Sequence, residues 1–184
     1  MTFEPYQNII AAQLEQLFKP LNPSRVKTRS GAGSYLEAWD VIAHLTRIFG
    51  PLNWDKEVRD SQLIYDEPVE WTTPSGDIKS GWDVAYRATV RLTVRPGGLM
   101  WIPKVSEDVA TGQAQHQPNR GDAHDQALKT AVSDALKRAA KDLGNQFGLS
   151  LYDKGNVAGV VNMSLAHPRS QETPSEADKE EIEQ

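Results

Sequence analysis

Apolar residues recur along this chain with changing periods, and each change of period marks an element. From Asp122 to Phe147 (DAHDQALKTAVSDALKRAAKDLGNQF) they fall at Leu128, Ala131, Val132, Ala135, Leu136, Ala139, Leu143 and Phe147, the spacing of one face of a helix. Glu4 to Phe18 reads as an amphipathic helix that buries Ile9, Ile10, Leu14, Leu17 and Phe18 and is ended by Pro20 and Pro23. Leu36 to Phe49 reads as another, with Val41, Ile42, Leu45 and Ile48 in its buried stripe and Gly50-Pro51 as its stop. Between these helices the period drops to two. Over Trp82–Arg95, Trp82, Val84, Tyr86, Ala88, Val90, Leu92 and Val94 alternate with a face that carries Arg87, Arg91 and Arg95, the pattern of a half-buried strand.

The neighbouring segments are weaker in pattern. Trp54 to Tyr65 is expected to be a strand, although it is polar. Pro68 to Gly81, with TTPSGD at its centre, is expected to be a hairpin connection. Pro96-Gly97-Gly98 turns the chain into a third strand from Leu99 to about Val109, and Thr111–Gly121 reads as a polar loop before the long helix. Leu149 to Leu165 is a packing segment of no clear form. Together these elements predict an α+β domain over residues 1–165, an antiparallel sheet with helices on one face.

Charge bears on the choice of partner. The net charge of the 184-residue chain is -5, which by itself argues against a polyanion. Its distribution argues otherwise. Residues 166–184 hold six acids against Arg169 and Lys179, so this acidic tail, expected to be disordered, accounts for -4 of the -5. The body is near neutral and free to carry a basic patch. With a mean hydropathy of -0.55 and no apolar run of about 18 residues, no membrane span is expected. The start, MTFEPYQNII, has no basic region and no long apolar stretch, so a secretory leader is not expected either. Zero cysteines exclude disulfides, thiolate metal sites and thiol nucleophiles, and fit a cytoplasmic setting.

Residues arranged for catalysis are sparse. No phosphate-binding glycine loop and no dinucleotide fingerprint is present, so no cofactor is expected. The four histidines show no ligand spacing. Asp122, His124 and Asp125 are adjacent at a helix start and do not converge on one ion. Asp134, one turn before Arg138, fits an intrahelical ion pair rather than a catalytic base. Cations are more telling. Lys137, Arg138 and Lys141 lie within about 100° of arc on the long helix, and Arg25, Lys27 and Arg29 alternate in SRVKTRSGAGSY. The residues alone leave two readings open, a solvated basic face or a rail for a phosphodiester backbone. No nucleophile is placed beside a base, so an enzyme is not expected.

The run AVSDALKRAAKDLGNQFGLSLYDK resembles the signature helix of the Rad fifty-two family of single-strand annealing proteins, whose pattern is close to AVTDGLKRALRSFGNALG. A second match supports it in the right order: Arg25, then Tyr35-Leu36-Glu37 ten residues on, a helix ending Phe49-Gly50, and Trp54. The two matches span Asn8 to about Lys154. The resemblance implies an antiparallel β-β-β-α core sheet packed with helices and assembled into a homo-oligomeric ring, which anneals complementary single strands without ATP in recombination and double-strand break repair and holds single-stranded DNA in a basic groove. Carried over residue by residue, it implies DNA contacts at Arg25, Tyr35, Lys137 and Arg138. Lys141 stands where the family often has Arg, which keeps the charge and loses a bidentate fork. Arg87 and Arg91 are added as candidates from the strand pattern. The family's second, outer DNA site does not transfer: its lysine falls near Pro118, with Arg120 the nearest cation.

The short chain suggests a phage or bacterial member, acting in the nucleoid or host cytoplasm, with a recombinase, a nuclease or a host single-strand binding protein as further partners. A passive single-strand binding protein is the rival reading. A metal-dependent nuclease using Asp122 and Asp125 is a more distant one.

The acidic tail bears on affinity. A tethered acidic segment has a high effective concentration at its own protein's basic groove and can compete there with DNA; the alternative is a solubility tail with no such role. Deleting residues 166–184 is expected to raise affinity for single strands at low salt, with the gain fading as salt rises. Unchanged low-salt affinity in a binding titration would reduce the tail to a solubility segment.

Overall fold

Strand alternation over Trp82–Val94 is realised as the middle of a three-stranded antiparallel sheet, and the rest of the chain is laid on or around it. A computed structural model describes residues 4–29, 33–98 and 102–164. In chain order, α1 (Glu4–Phe18) leads into a small hairpin of β1 (Val26–Arg29) and β2 (Gly33–Leu36), followed by α2 (Ala38–Phe49). The sheet strands β3 (Trp54–Thr72), β4 (Ile78–Val94) and β5 (Lys104–Gln117) come next, in the spatial order β3-β4-β5, and α3 (Arg120–Lys141) closes the unit. Two 3₁₀ turns, Asn145–Phe147 and Leu149–Tyr152, carry the chain onward. This is the expected α+β class with its β-β-β-α core. Among the described residues no helix is long and apolar enough to cross a membrane. The expected acidic tail, 166–184, lies outside the described residues, as do 99–101 at the start of the expected third strand.

The strands are longer than their hydropathy suggests. The expected connection over Pro68–Gly81 is almost all ladder: β3 and β4 pair from Trp54↔Val94 to Thr72↔Ile78, leaving a tight turn at 73–77. There Thr73 N–H donates to Asp77 C=O at 2.9 Å, and Gly76 takes φ of 89°. The strand expected to end near Val109 continues to Gln117, so Thr111–Gln117 is strand rather than loop. Both differences have one cause. β3 is exposed along most of its length, and the inward residues of β5 are small (Ala110, Gly112, Ala114), so neither shows the alternation of large apolar and polar groups. The helices differ in detail. Ile9, expected in the buried stripe of α1, is 46% exposed. The long helix starts at Arg120, capped by Asn119, whose side chain accepts from the N–H groups of Gly121 and Asp122. It ends at Lys141, because Gly144 at φ of 106° turns the chain out of the helix.

Core composition explains how α3 sits. Ala123, Ala127, Ala131, Ala135 and Ala139 repeat every four residues, and all are fully buried. Ala123 and Ala127 pack with Val84 on β4 and Ala114 on β5, and Ala135 and Ala139 share a cluster with Val90 and Leu92 on β4. With methyls in the interface the helix backbone comes down onto the strand. At Gly112 the approach is closest: a Cβ placed there would fall well inside contact distance of the Ala131 N and the Ala127 O. Larger side chains fill the core at the other end of the helix, where Leu136 packs with Leu45, Phe49 and Phe147.

Gly112→Ala is therefore expected to lower stability by about 1–3 kcal/mol through overpacking, measured as a shift in the denaturant midpoint. A variant as stable as the parent would mean that strand and helix do not meet at this residue.

Candidate nucleic-acid interface

Once the alanine stripe is fixed on the sheet, the rotation of α3 is fixed too, and Lys137, Arg138 and Lys141 emerge on its far side near the C-terminal end. They line a cleft of about 680 Å³ whose other walls are β2 (Gly33–Leu36) and the segment from Phe147 to Gly155. Two tyrosines support the lysines. The Lys137 Nζ lies 5.4 Å from the ring centre of Tyr35, and the Lys141 Nζ lies 4.5 Å from that of Tyr152. An ammonium over an aromatic face is held by the ring quadrupole while its outer N–H groups stay available to an anion. Lys154 also lines the cleft, in the left-handed region at φ of 52°.

Carboxylates are interleaved with these cations. Lys137 pairs with Asp134 at 2.7 Å, one turn back on α3. Arg138 reaches across to β5, where its Nε donates to the Asp108 Oδ1 at 3.0 Å. The bond to Asp108 raises the pKa of the Arg138 guanidinium. The ion pair expected between Asp134 and Arg138 is thus replaced by two others, because the strand offers Arg138 a carboxylate and Lys137 takes the helical one.

The remaining candidates lie elsewhere. Arg25 does not line the cleft. Its guanidinium is buried and donates to Asp40 through Nε at 3.0 and 3.1 Å and through Nη2 at 2.8 Å, and its Nη1 donates to the Gln146 Oε1 at 3.1 Å. These contacts tie the Arg25 guanidinium to α2 and to the turn after α3. His44 lies 3.7 Å from the same carboxylate. Burial, with the nearby Arg25 and Arg47, holds its pKa below the usual 6.5, so it is neutral at neutral pH. Arg87 and Arg91 alternate with the buried Ala88, Val90 and Leu92 and so project from the sheet face opposite α3. Arg87 donates to Gln62, and Arg91 pairs with Glu107. Arg120 is engaged at the other end of α3, stacked 4.7 Å over Trp82 and paired with Asp66, whose carboxyl it holds below the usual range. His124 lies between that Asp66 and the hydroxyl of Tyr86.

Residues that set the shape of the cleft leave little mark in the sequence pattern. Asn145 is fully buried. Its Nδ2 donates to the C=O groups of Phe18 and Val161, and its Oδ1 accepts from the N–H groups of Val160 and Val161. Gln146 donates to the C=O groups of Lys19 and Pro20. These amides tie the loop after α1 to the segment beyond the cleft. Tyr152 and Lys154 join the cleft without having been expected there. Their one signal is the LYDKG string itself, an aromatic and a cation beside a glycine.

The structure is thus an α+β unit with cations and tyrosines gathered in one cleft beside its long helix. The chain belongs to the Rad52/22 family of double-strand break repair proteins, whose model matches residues 9–170. It is 32% identical over 152 residues to the DNA repair and recombination protein rad22 of Schizosaccharomyces pombe, covering 80% of this chain and 29% of that one. It is 29% identical over 150 residues to rti1 of the same yeast, covering 79% and 37%. With the DNA repair and recombination protein RAD52 of Saccharomyces cerevisiae it shares 29% over 157 residues, covering 83% and 30%. The chain thus spans about a third of the length of these relatives.

Arg25→Ala would leave Asp40 buried without its partner. A loss of about 3–5 kcal/mol in unfolding free energy is expected, as for a broken buried ion pair. A loss below about 1 kcal/mol, the range of an exposed pair, would show that the guanidinium is not committed to the fold.

Proposed function

We propose that this chain binds single-stranded DNA along the α3 cleft and anneals complementary strands without ATP, in homologous recombination and double-strand break repair, as a homo-oligomeric ring. The observation that carries the reading is the convergence of Lys137, Arg138, Lys141 and Lys154 with Tyr35 and Tyr152 on one open cleft. Family membership and the repair and recombination named for the relatives support the biological setting.

Annealing is a task these residues suit. Base pairing supplies the free energy, so the protein needs no reaction centre. It has to hold the backbone by its phosphates, leave base edges available and let the duplex go. Lysines and arginines on a helix make contacts that are individually modest and salt-sensitive, and they carry no sequence information. Tyrosine rings add stacking surfaces that accept any base. A ring of copies repeats the cleft and keeps a long strand extended.

The test mixes complementary oligonucleotides with the protein. Faster pairing is expected; slower pairing would indicate a passive binder, and fragments would indicate a nuclease. In parallel, Lys137→Ala and Arg138→Ala are each expected to weaken single-strand binding and to flatten the slope of log affinity against log salt by about 0.7. If both variants bind and anneal like the parent, the cleft is not the DNA site. Light scattering of the same samples is expected to give a mass many times 20.4 kDa, and a monomer with DNA present would remove the ring from the proposal.

A further inference from the structure

We propose that Asp134 and Asp108 are affinity-setting residues: each holds a cleft cation within the protein and must yield it when a phosphate arrives. The proposal rests on the reading of the cleft as a single-strand DNA site, and goes further by assigning the control of grip and release to two acids.

The geometry is direct. Asp134 itself lines the cleft, its side chain is 40% exposed, and its Oδ1 lies 2.7 Å from the Lys137 ammonium. A phosphate oxygen approaching Lys137 therefore meets a carboxylate already at contact distance. Asp108 acts from the sheet. The N–H of Val109 donates to its Oδ1 at 2.7 Å, which aims the carboxylate, and the same oxygen accepts from the Arg138 Nε at 3.0 Å. That is a single-pronged contact along the side of the guanidinium rather than the two-pronged fork that arginine makes with a phosphate. Lys141 is different again, held by the face of Tyr152. The rail is graded. Lys137 carries an internal anion and an aromatic ring, Arg138 an internal anion, and Lys141 an aromatic ring.

Carboxylate and phosphate are each anions of similar reach, so they compete for one cation. A strand that displaces Asp134 or Asp108 gains a phosphate contact and loses an ion pair, and it leaves an acid beside a phosphate. Both effects lower the affinity per contact and reduce the effective number of phosphates neutralised. For a protein that must hand over its product, this competition favours release.

The experiment uses the full chain and a fluorescent oligothymidylate, titrated by anisotropy across a salt series. Asp134→Asn and Asp108→Asn keep shape and remove charge. Each is expected to tighten binding at low salt by about two- to fivefold, the scale of an exposed ion pair, and to steepen the salt slope by up to about 0.7. Release of preformed duplex into excess competitor is expected to slow in both, and Asp134→Glu is expected to restore parental behaviour. Thermal melts check folding. If Asp108→Asn melts early, Asp134→Asn on the exposed helix face carries the test. Parental affinity and slope in Asp134→Asn, alongside weakened binding in Lys137→Ala, would overturn this proposal and leave the DNA site standing. Parental binding in Lys137→Ala would remove the site and this proposal together.

Discussion

Backbone approaches backbone where α3 crosses β5, and this contact sets the geometry of the molecule. Helices that pack through larger side chains stand about 8–10 Å from their neighbours. Here a stripe of alanines every four residues and a glycine on the strand let the helix sit lower. A methyl interface buries less apolar area per residue than leucine does, but it tolerates little rotation, since larger side chains flank it on both sides. The stripe therefore acts as an index mark. Once the alanines are down, the position of every outward residue of α3 is decided, and the lysines and arginine near its end project together, where Asp134, Asp108 and the two tyrosines hold them.

The opposite wall of the cleft is positioned by different physics. It comes from parts of the chain far apart in sequence, and polar groups rather than apolar ones join them. Asn145 satisfies backbone groups of both the α1 end and the segment near Val161, while Gln146 links that α1 end to Arg25 and so to Asp40 on α2. Buried polar groups are stable only when their partners are in place. Such a network accepts one arrangement of its strands and penalises neighbouring ones, where an apolar cluster would accept several. One wall is fixed by close packing and the other by directional bonds, and the space between them keeps its width.

Some of this is legible in the sequence, and the rest is hidden for identifiable reasons. Trp82–Val94 and the Ala131, Ala135 and Ala139 part of the α3 stripe can be placed from periodicity, because burial on one face writes itself into hydropathy, while Ala123 and Ala127 escape it as small residues among polar neighbours. β3 and the second half of β5 look shorter than they are, because exposure and small side chains leave no such record. Lys137, Arg138, Lys141 and Tyr35 group together through helical spacing and family resemblance, and they do line one cleft. Arg25 looks like any surface cation, since nothing local announces that Asp40 and Gln146, the latter 121 residues away, will close around it. Arg87 and Arg91 follow a correct strand pattern onto the side of the sheet away from the cleft. Alternation tells which residues share a face and not which face looks at the site.

β3 has a bearing on whether the sheet can extend beyond its own three strands. At 19 residues it reaches roughly 60 Å, longer than the 22-residue α3 at about 33 Å, and it is an edge of the sheet. A long bare edge invites another strand to add to it. This one is made inhospitable. The register shifts at Val58/Asp60 and Leu63/Tyr65, Pro68 cannot donate, and Glu57, Arg59, Asp60, Glu67 and Glu70 crowd it with charge. Runaway sheet growth is thereby discouraged at the place most open to it, and the longest strand stays in solution without becoming the seed of a fibre.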